Sequence, residues 1–274
     1  MPLGSFLSGG LDSSIVSAVT IKELGSLDTF SIGFENISDP YHGYADESEN
    51  AKDFASIIGS KHHSIKVNSN TFRDLLDDFI FYGDQPFAVS SGLGILAISR
   101  EARNCGIKVL LSGDCADECF GGYSWYPYLN TPFGNNKKIS NEIYSFNNVG
   151  ENIKDRVNKI SSLNSHERAW AWHYYAHEME KNSLFNQNEF KYVKSSLRFF
   201  KEFNNEEVWE PEEFIRNDRE FYLPNEMLTK LDRMTMANSI EGRAPFAALS
   251  VLDLSYNLKF NHMCQKDNLK WLLK

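Results

Sequence analysis

Ser8-Gly9-Gly10-Leu11-Asp12-Ser13-Ser14 is the stretch that decides how this chain is read. The residues before it, Leu3-Gly4-Ser5-Phe6-Leu7, form an apolar run that suits a buried strand. The residues after it, Ile15-Val16-Ser17-Ala18-Val19-Thr20-Ile21, carry apolar spacing that continues as a helix to Gly25. A strand, a glycine turn and a helix start together make an anion site. The glycines allow positive φ and a close backbone approach. The unpaired N–H groups of the helix start then face the anion. Ser8, Ser13 and Ser14 add hydroxyl donors, and Asp12 is placed to hold a Mg²⁺ that bridges phosphate oxygens.

The common P-loop requires Gly-Lys-Ser/Thr after four variable residues, and no such lysine is present. The stretch instead resembles the PP-loop of ATP pyrophosphatases, SGGxDS. Those enzymes cleave ATP between the α and β phosphates, and their loop holds the pyrophosphate. The other reading is a plain Gly-Ser turn at a helix start; the strand–turn–helix context favours the nucleotide loop.

The chain has 274 residues, enough for one large or two small domains with a packed core. A net charge of −9 argues against a general nucleic-acid surface. It therefore counts against the RNA-modifying members of the PP-loop group. No apolar run approaches the roughly 20 residues that span a bilayer, and no signal segment opens the chain. Cys105, Cys115, Cys119 and Cys264 show no paired framework, so a reduced cytoplasmic setting is expected. Met1-Pro2 leads straight into the first strand, which suggests one module of a longer ancestor.

The segment up to Gly113 alternates strand and helix. Strands are expected at 27–34, 63–67 and 108–111, and helices at 45–58, 71–81 and 93–104, with Gly59 as a C-cap. Such alternation predicts an α/β fold with a doubly wound parallel sheet, whose ligands bind beyond the carboxyl ends of the strands. Three strand ends should converge: 8–14, 32–34 and 112–118. From about residue 125 the texture changes. Residues 130–148 read as a loop, 150–260 as mostly helical, and the aromatic patch 170–175 as helix core rather than a base-stacking platform. The expected division is an α/β nucleotide-binding core over 1–125 and a mostly helical part over 126–274 that completes the active site.

Two further motifs carry chemistry. Leu111-Ser112-Gly113-Asp114-Cys115-Ala116-Asp117-Glu118 sets Asp114, Asp117 and Glu118 close together after a strand. Clustered carboxylates raise one another's pKa unless a cation compensates, and Mg²⁺–ATP supplies one. Cys115 and Cys119 without a nearby histidine do not make a zinc site. Residues 225–240 read as a helix with Met227, Leu228, Leu231 and Met234 as its apolar stripe. Lys230 and Arg233 border that stripe and are candidates for binding substrate or phosphate, although cations there commonly snorkel to solvent.

Taken together, FLSGGLDSS, FSIGF with ADESENAKDFASIIGSKHHSIKV, LLSGDCADECFGGY and YLPNEMLTKLDRMTMANSIEGRAPF resemble the synthetase domain of class B, glutamine-dependent asparagine synthetases over nearly the full length. The resemblance implies a PP-loop ATP pyrophosphatase fold of the adenine nucleotide α-hydrolase type. It implies activation of an aspartate side-chain carboxylate by ATP, with Mg²⁺, to an acyl-adenylate and pyrophosphate. Ammonia then displaces AMP. It implies that Ser8, Gly9, Gly10, Asp12, Ser13 and Ser14 hold the pyrophosphate end of ATP. Leu7, Ile32, Ser112 and Gly113 match nucleotide contacts, Asp12 and Asp117 the Mg²⁺ carboxylates, and Asp114 a position beside the acyl-adenylate. Lys270, in Lys270-Trp271-Leu272-Leu273-Lys274, matches a lysine that stabilises charge on the phosphates. His62-His63 matches a histidine pair read here as structural.

The sequence also departs from that pattern. Pro2 stands where the family's glutaminase half carries its catalytic cysteine, so ammonia is expected from solution or from a separate glutaminase domain or subunit. Cys115 replaces a usual glycine, Phe246-Ala247-Ala248 a usual Phe-Leu-Asp, and Lys274 a usual arginine. The expected partners are small molecules: ATP, an aspartate-like acid and ammonia. The alternatives are a related adenylating cyclase or amide ligase, of β-lactam synthetase or lasso-peptide cyclase type, and a non-catalytic nucleotide-binding fragment.

Overall fold

The computed structural model describes residues 1–35, 46–85, 89, 91–123, 126, 211–265 and 268–274. The expected loop at 130–148 and the aromatic patch at 170–175 lie outside the described residues. The first half follows the expected alternation: β1 (Leu3–Phe6), α1 (Leu11–Leu24), β2 (Asp28–Phe34), α2 (Ser48–Ile58), β3 (Lys61–Val67), α3 (Ser69–Gly83), α4 (Ser91–Asn104), β4 (Val109–Leu111) and α5 (Ala116–Phe120). Gly59 closes α2 in the left-handed conformation, as expected. The helix expected at 71–81 starts at Ser69, because Asn68 accepts from the N–H groups of Asn70 and Thr71 and forms a capping box with Thr71.

The later part contributes α6 (Pro211–Asn217), a π-helical segment (Asp218–Leu228), α7 (Thr229–Met236) and β5 (Glu241–Arg243). Beyond these come a 3-10 turn (Pro245–Ala247), α8 (Leu249–Tyr256), α9 (Phe260–Met263), β6 (Cys264–Gln265), β7 (Asn268–Leu269) and a final 3-10 turn (Trp271–Leu273). The single helix expected over 225–240 is therefore wrong in its bounds. Its first residues belong to the π-helical segment, and the helix stops at Met236. Ile240 leaves it to enter the core beside Phe30 and Leu110. Glu241 N then donates to Lys108 O, and Ser112 N to Arg243 O. The unpaired edge of β4 thus draws this segment into the sheet. β5 had no signal of its own as a strand.

Among the described residues, β1 to β5 form one sheet, all parallel, in the order β3-β2-β1-β4-β5, and β6 and β7 form a separate antiparallel pair. The chain moves outward from β1 to β3, crosses back and adds β4 and β5. This is a doubly wound α/β sheet, consistent with the PP-loop ATP pyrophosphatase fold. Ala51 and Ala55 of α2 pack with Leu7 on one face. Ile98 and Ala102 of α4 pack on Phe30 and Leu110, and Leu75, Phe79, Leu96 and Met234 extend that core over α3, α4 and α7. The reversal of strand order lies between β1 and β4, where the sheet opens a crevice at its carboxyl end. Among the described residues no helix is long and apolar enough to cross a membrane.

Candidate active site

The first loop is folded back on its own helix. Ser8 N donates to Ser13 Oγ at 3.1 Å, Gly10 N to Ser8 Oγ at 3.2 Å, and Ser13 Oγ to Gly10 O at 3.3 Å. Gly9 has φ +83°, and a Cβ there would lie 2.8 Å from Ala51 N, so only glycine lets α2 come this close. Gly10 caps α1 without a side-chain bond. The first-turn N–H groups of α1 therefore face the sheet's carboxyl end. Ser14 is buried behind them. Ser17 Oγ donates to Ser5 Oγ, which bonds Leu111 O, so the helix is tied to both β1 and β4.

The second loop, after β4, meets the first. A Cβ on Gly113 would lie 2.9 Å from both Asp12 Cβ and Ser13 N, so the two loops are in direct contact. The Ser112 hydroxyl donates to the Asp114 carboxylate, and Asp114 N donates back to Ser112 Oγ at 3.1 Å. Cys115 caps α5 with φ +79°. The backbone is left-handed there, a conformation that favours glycine over a residue with a Cβ.

The segment that carries Lys270 closes the site from a third direction. Lys270 Nζ lies 2.6 Å from Asp117 Oδ1 and donates also to Asp12 Oδ2. Lys270 N donates to Gly121 O. Burial raises the Asp12 pKa above the usual carboxylate range, Asp117 and Asp114 add to this, and Lys270 opposes it. Burial draws the Lys270 ammonium down, but Asp117 and Asp12 outweigh it and hold its pKa above the ordinary lysine value. Asp12 Oδ1 is buried without a hydrogen-bond partner. Among the described residues no three His, Cys, Asp or Glu side chains form a metal cage by themselves. Two carboxylates with one free oxygen suit a Mg²⁺ that takes its remaining ligands from water and phosphate.

Beside the loops lies a cavity of about 290 Å³. Its walls include Leu7, Ser8 and Ile32 at the ends of β1 and β2, and Ser112 and Asp114 after β4. Gly94, Ile95 and Ile98 of α4 line the same cavity, as do Phe6, Phe30 and Glu47. Sequence reasoning missed these. The one available signal was Gly94, a glycine inside an apolar helix. Lys230 also lines the cavity and is buried, with Nζ 3.4 Å from Asp114 Oδ1. Arg233 does not line it; its guanidinium donates to Gly83 O at the end of α3. His62 lies between the hydroxyls of Thr29 and Ser31 at 3.0 Å each, and His63 Nε2 lies 2.6 Å from Asp28, so both imidazoles are tied to the sheet.

With strand order, loops and converging charges in place, comparison with known proteins is decisive. The asparagine synthase family matches residues 1–274. The chain belongs to that family. It is 27% identical over 282 residues to asparagine synthetase [glutamine-hydrolyzing] 1 of Bacillus subtilis, covering 100% of this chain and 43% of that protein. It is 28% identical over 285 residues to a putative asparagine synthetase [glutamine-hydrolyzing] of Mycobacterium tuberculosis, covering 99% of this chain and 41% of that one. A 125-residue stretch is 40% identical to a putative asparagine synthetase [glutamine-hydrolyzing] 2 of Methanocaldococcus jannaschii, covering 45% of this chain and 23% of that one. The chain thus spans less than half the length of these relatives. For an asparagine synthase domain, the meeting of the two loops under Lys270 is the feature that a function must use.

Proposed function

We propose that this domain joins ammonia to an aspartate-type carboxylate at the expense of ATP, releasing AMP and pyrophosphate. The observation that carries the reading is the joint placement of the SGGLDSS loop, Asp117 and Lys270 beside an apolar cavity at the strand-order reversal. In this reading adenine lies in the cavity lined by Leu7, Ile32 and Gly94, and the triphosphate extends to the start of α1; the apolar lining supports this. Ser8, Gly9, Gly10, Ser13 and Ser14 hold the pyrophosphate end. Asp12 and Asp117 would hold Mg²⁺, which when bound neutralises charge on the phosphate oxygens.

A carboxylate oxygen of the acid attacks the α-phosphorus, and the bond from that phosphorus to the α–β bridging oxygen breaks. Pyrophosphate leaves with the bridging oxygen and stays on the first loop. Lys270 donates to the phosphate oxygens as charge builds there. Ammonia next adds to the acyl carbon, and AMP leaves with the acyl C–O electron pair. The attacking nitrogen must lose a proton, and Asp114, in the cavity wall beside Lys230, is the group placed to receive it. Lys230 Nζ, 3.4 Å from Asp114 Oδ1, orients that carboxylate. The ammonia source is a separate glutaminase domain or subunit, in keeping with relatives that are named glutamine-hydrolyzing and are more than twice as long.

The test is isotope exchange between pyrophosphate and ATP with Mg²⁺ and aspartate, followed by chromatography after ammonium is added. Exchange and AMP are expected, and Lys270→Ala should abolish the exchange. ADP as the main product, or normal exchange in Lys270→Ala, would overturn the mechanism.

A further inference from the structure

The Lys270 ammonium bonds the same two carboxylates to which the metal is assigned. Resting on that assignment, we infer that Lys270 and a divalent cation compete for Asp12 and Asp117. Arrival of the metal drives the ammonium off the carboxylates and onto the phosphate oxygens that it serves.

Three features of the structure support this exchange. The first is space. Mg²⁺ binds oxygen at about 2.0–2.1 Å, and an ammonium nitrogen is already 2.6 Å from Asp117 Oδ1. Two cations cannot occupy that gap without strong mutual repulsion. The second is the unpartnered Asp12 Oδ1. It gives an incoming cation a first ligand on the carboxylate whose other oxygen Lys270 holds. The third is a seat shaped for the lysine. A Cβ on Gly122 would lie 1.8 Å from Lys270 Cε and 1.9 Å from Asp117 Oδ1, so glycine alone keeps that space open. The lysine backbone is anchored through Gly121 O, while its four-carbon stem is free to carry the charge elsewhere. Without a metal, the ammonium prevents two close carboxylates from repelling each other. With metal and nucleotide, the same charge moves to the phosphates. Charge at the site is therefore balanced in both states.

The experiment titrates the purified chain with Mn²⁺ alone, without nucleotide, by electron paramagnetic resonance. Lys270→Gln should bind Mn²⁺ about tenfold more tightly than wild type, because a charge-assisted hydrogen bond no longer has to be broken. Lys270→Met should do the same. Lys230→Gln removes an equal charge that bonds Asp114 instead, and should change Mn²⁺ affinity less than about twofold. Unchanged or weaker binding in the Lys270 variants overturns the inference. So does equal tightening in Lys230→Gln, which would reduce the effect to general charge. A mutation-free check follows the Lys270 side-chain ¹⁵N resonance during a Mg²⁺ titration. A shift is expected, and an unmoved resonance overturns the exchange. Failure of the adenylation reading would be seen separately, as absent ATP–pyrophosphate exchange in wild type.

Discussion

At the scale of single residues, Cys115 shows how local backbone and burial oppose each other. Its φ of +79° is unfavourable for any residue with a Cβ, yet its thiol is buried beside Phe120 and Phe246. Burial pushes the thiol pKa far above its ordinary value, so it is an inert apolar group and not a nucleophile. Left-handed backbone costs about 1–2 kcal/mol, and burying a small apolar group returns a similar amount. Cys115→Gly should therefore leave stability within about 1 kcal/mol of wild type. Cys115→Val, β-branched at the same φ, should lose about 2–3 kcal/mol. Urea denaturation of both variants measures the difference, and equal stabilities would show that the backbone there relaxes.

At the scale of elements, α7 connects the site to the sheet. Its residue Lys230 faces Asp114, while Arg233, one turn on, holds the end of α3 through Gly83 O. Residues three apart share a helix side, so spacing alone could not separate these two cations. An arginine on a helix's last carbonyl satisfies an otherwise unpaired acceptor. Arg233→Met should therefore cost about 1–2 kcal/mol of stability, with the KM for ATP held within about twofold. A large rise in KM at unchanged stability would instead return Arg233 to the phosphates. Arg219 plays a related part inside the π-helical segment. It donates to the carbonyls of Glu118 and Cys119 and so fixes α5, which carries Asp117.

At the scale of the whole molecule, buried Glu118 couples stability to pH. Burial pushes its pKa up to about 7 although the Tyr123 hydroxyl donates to it at 2.6 Å. The folded state then binds the proton more tightly than the unfolded state does. This contribution is fully present below the unfolded value of 4.5 and is lost as pH rises through 7. Glu118→Gln keeps the acceptor but removes the charge. Relative to wild type, it should gain roughly 3 kcal/mol between pH 4.5 and pH 8. Denaturation of both proteins at the two pH values decides it, and parallel pH dependences would refute the assignment. The sign is opposite for Asp28 and Asp46. His63 and Lys61 lower the Asp28 pKa against its burial, and bonds from Ser48 and Phe34 do the same for Asp46. Both add stability that is lost in acid.

What the sequence by itself determined is local. SGGLDSS between an apolar strand and a helix specified a loop, its glycines and the helix start that follows it, because turn chemistry and helix ends depend on near neighbours. The alternation over the first 113 residues likewise predicted β1 to β4, α1 to α4, and a parallel sheet. Tertiary structure alone decided the rest. Glu241–Arg243 became β5 because β4 offered an unpaired edge. Lys230 became buried because Asp114 lies opposite it, whereas the pattern also allowed a solvent-facing lysine. Lys270 is 258 residues from Asp12 in sequence, and no periodicity links them. Only the fold brings that ammonium between Asp12 and Asp117. Charge pairing acts through space, and in a doubly wound sheet the shortest distances at the site join the parts of the chain that are farthest apart in sequence.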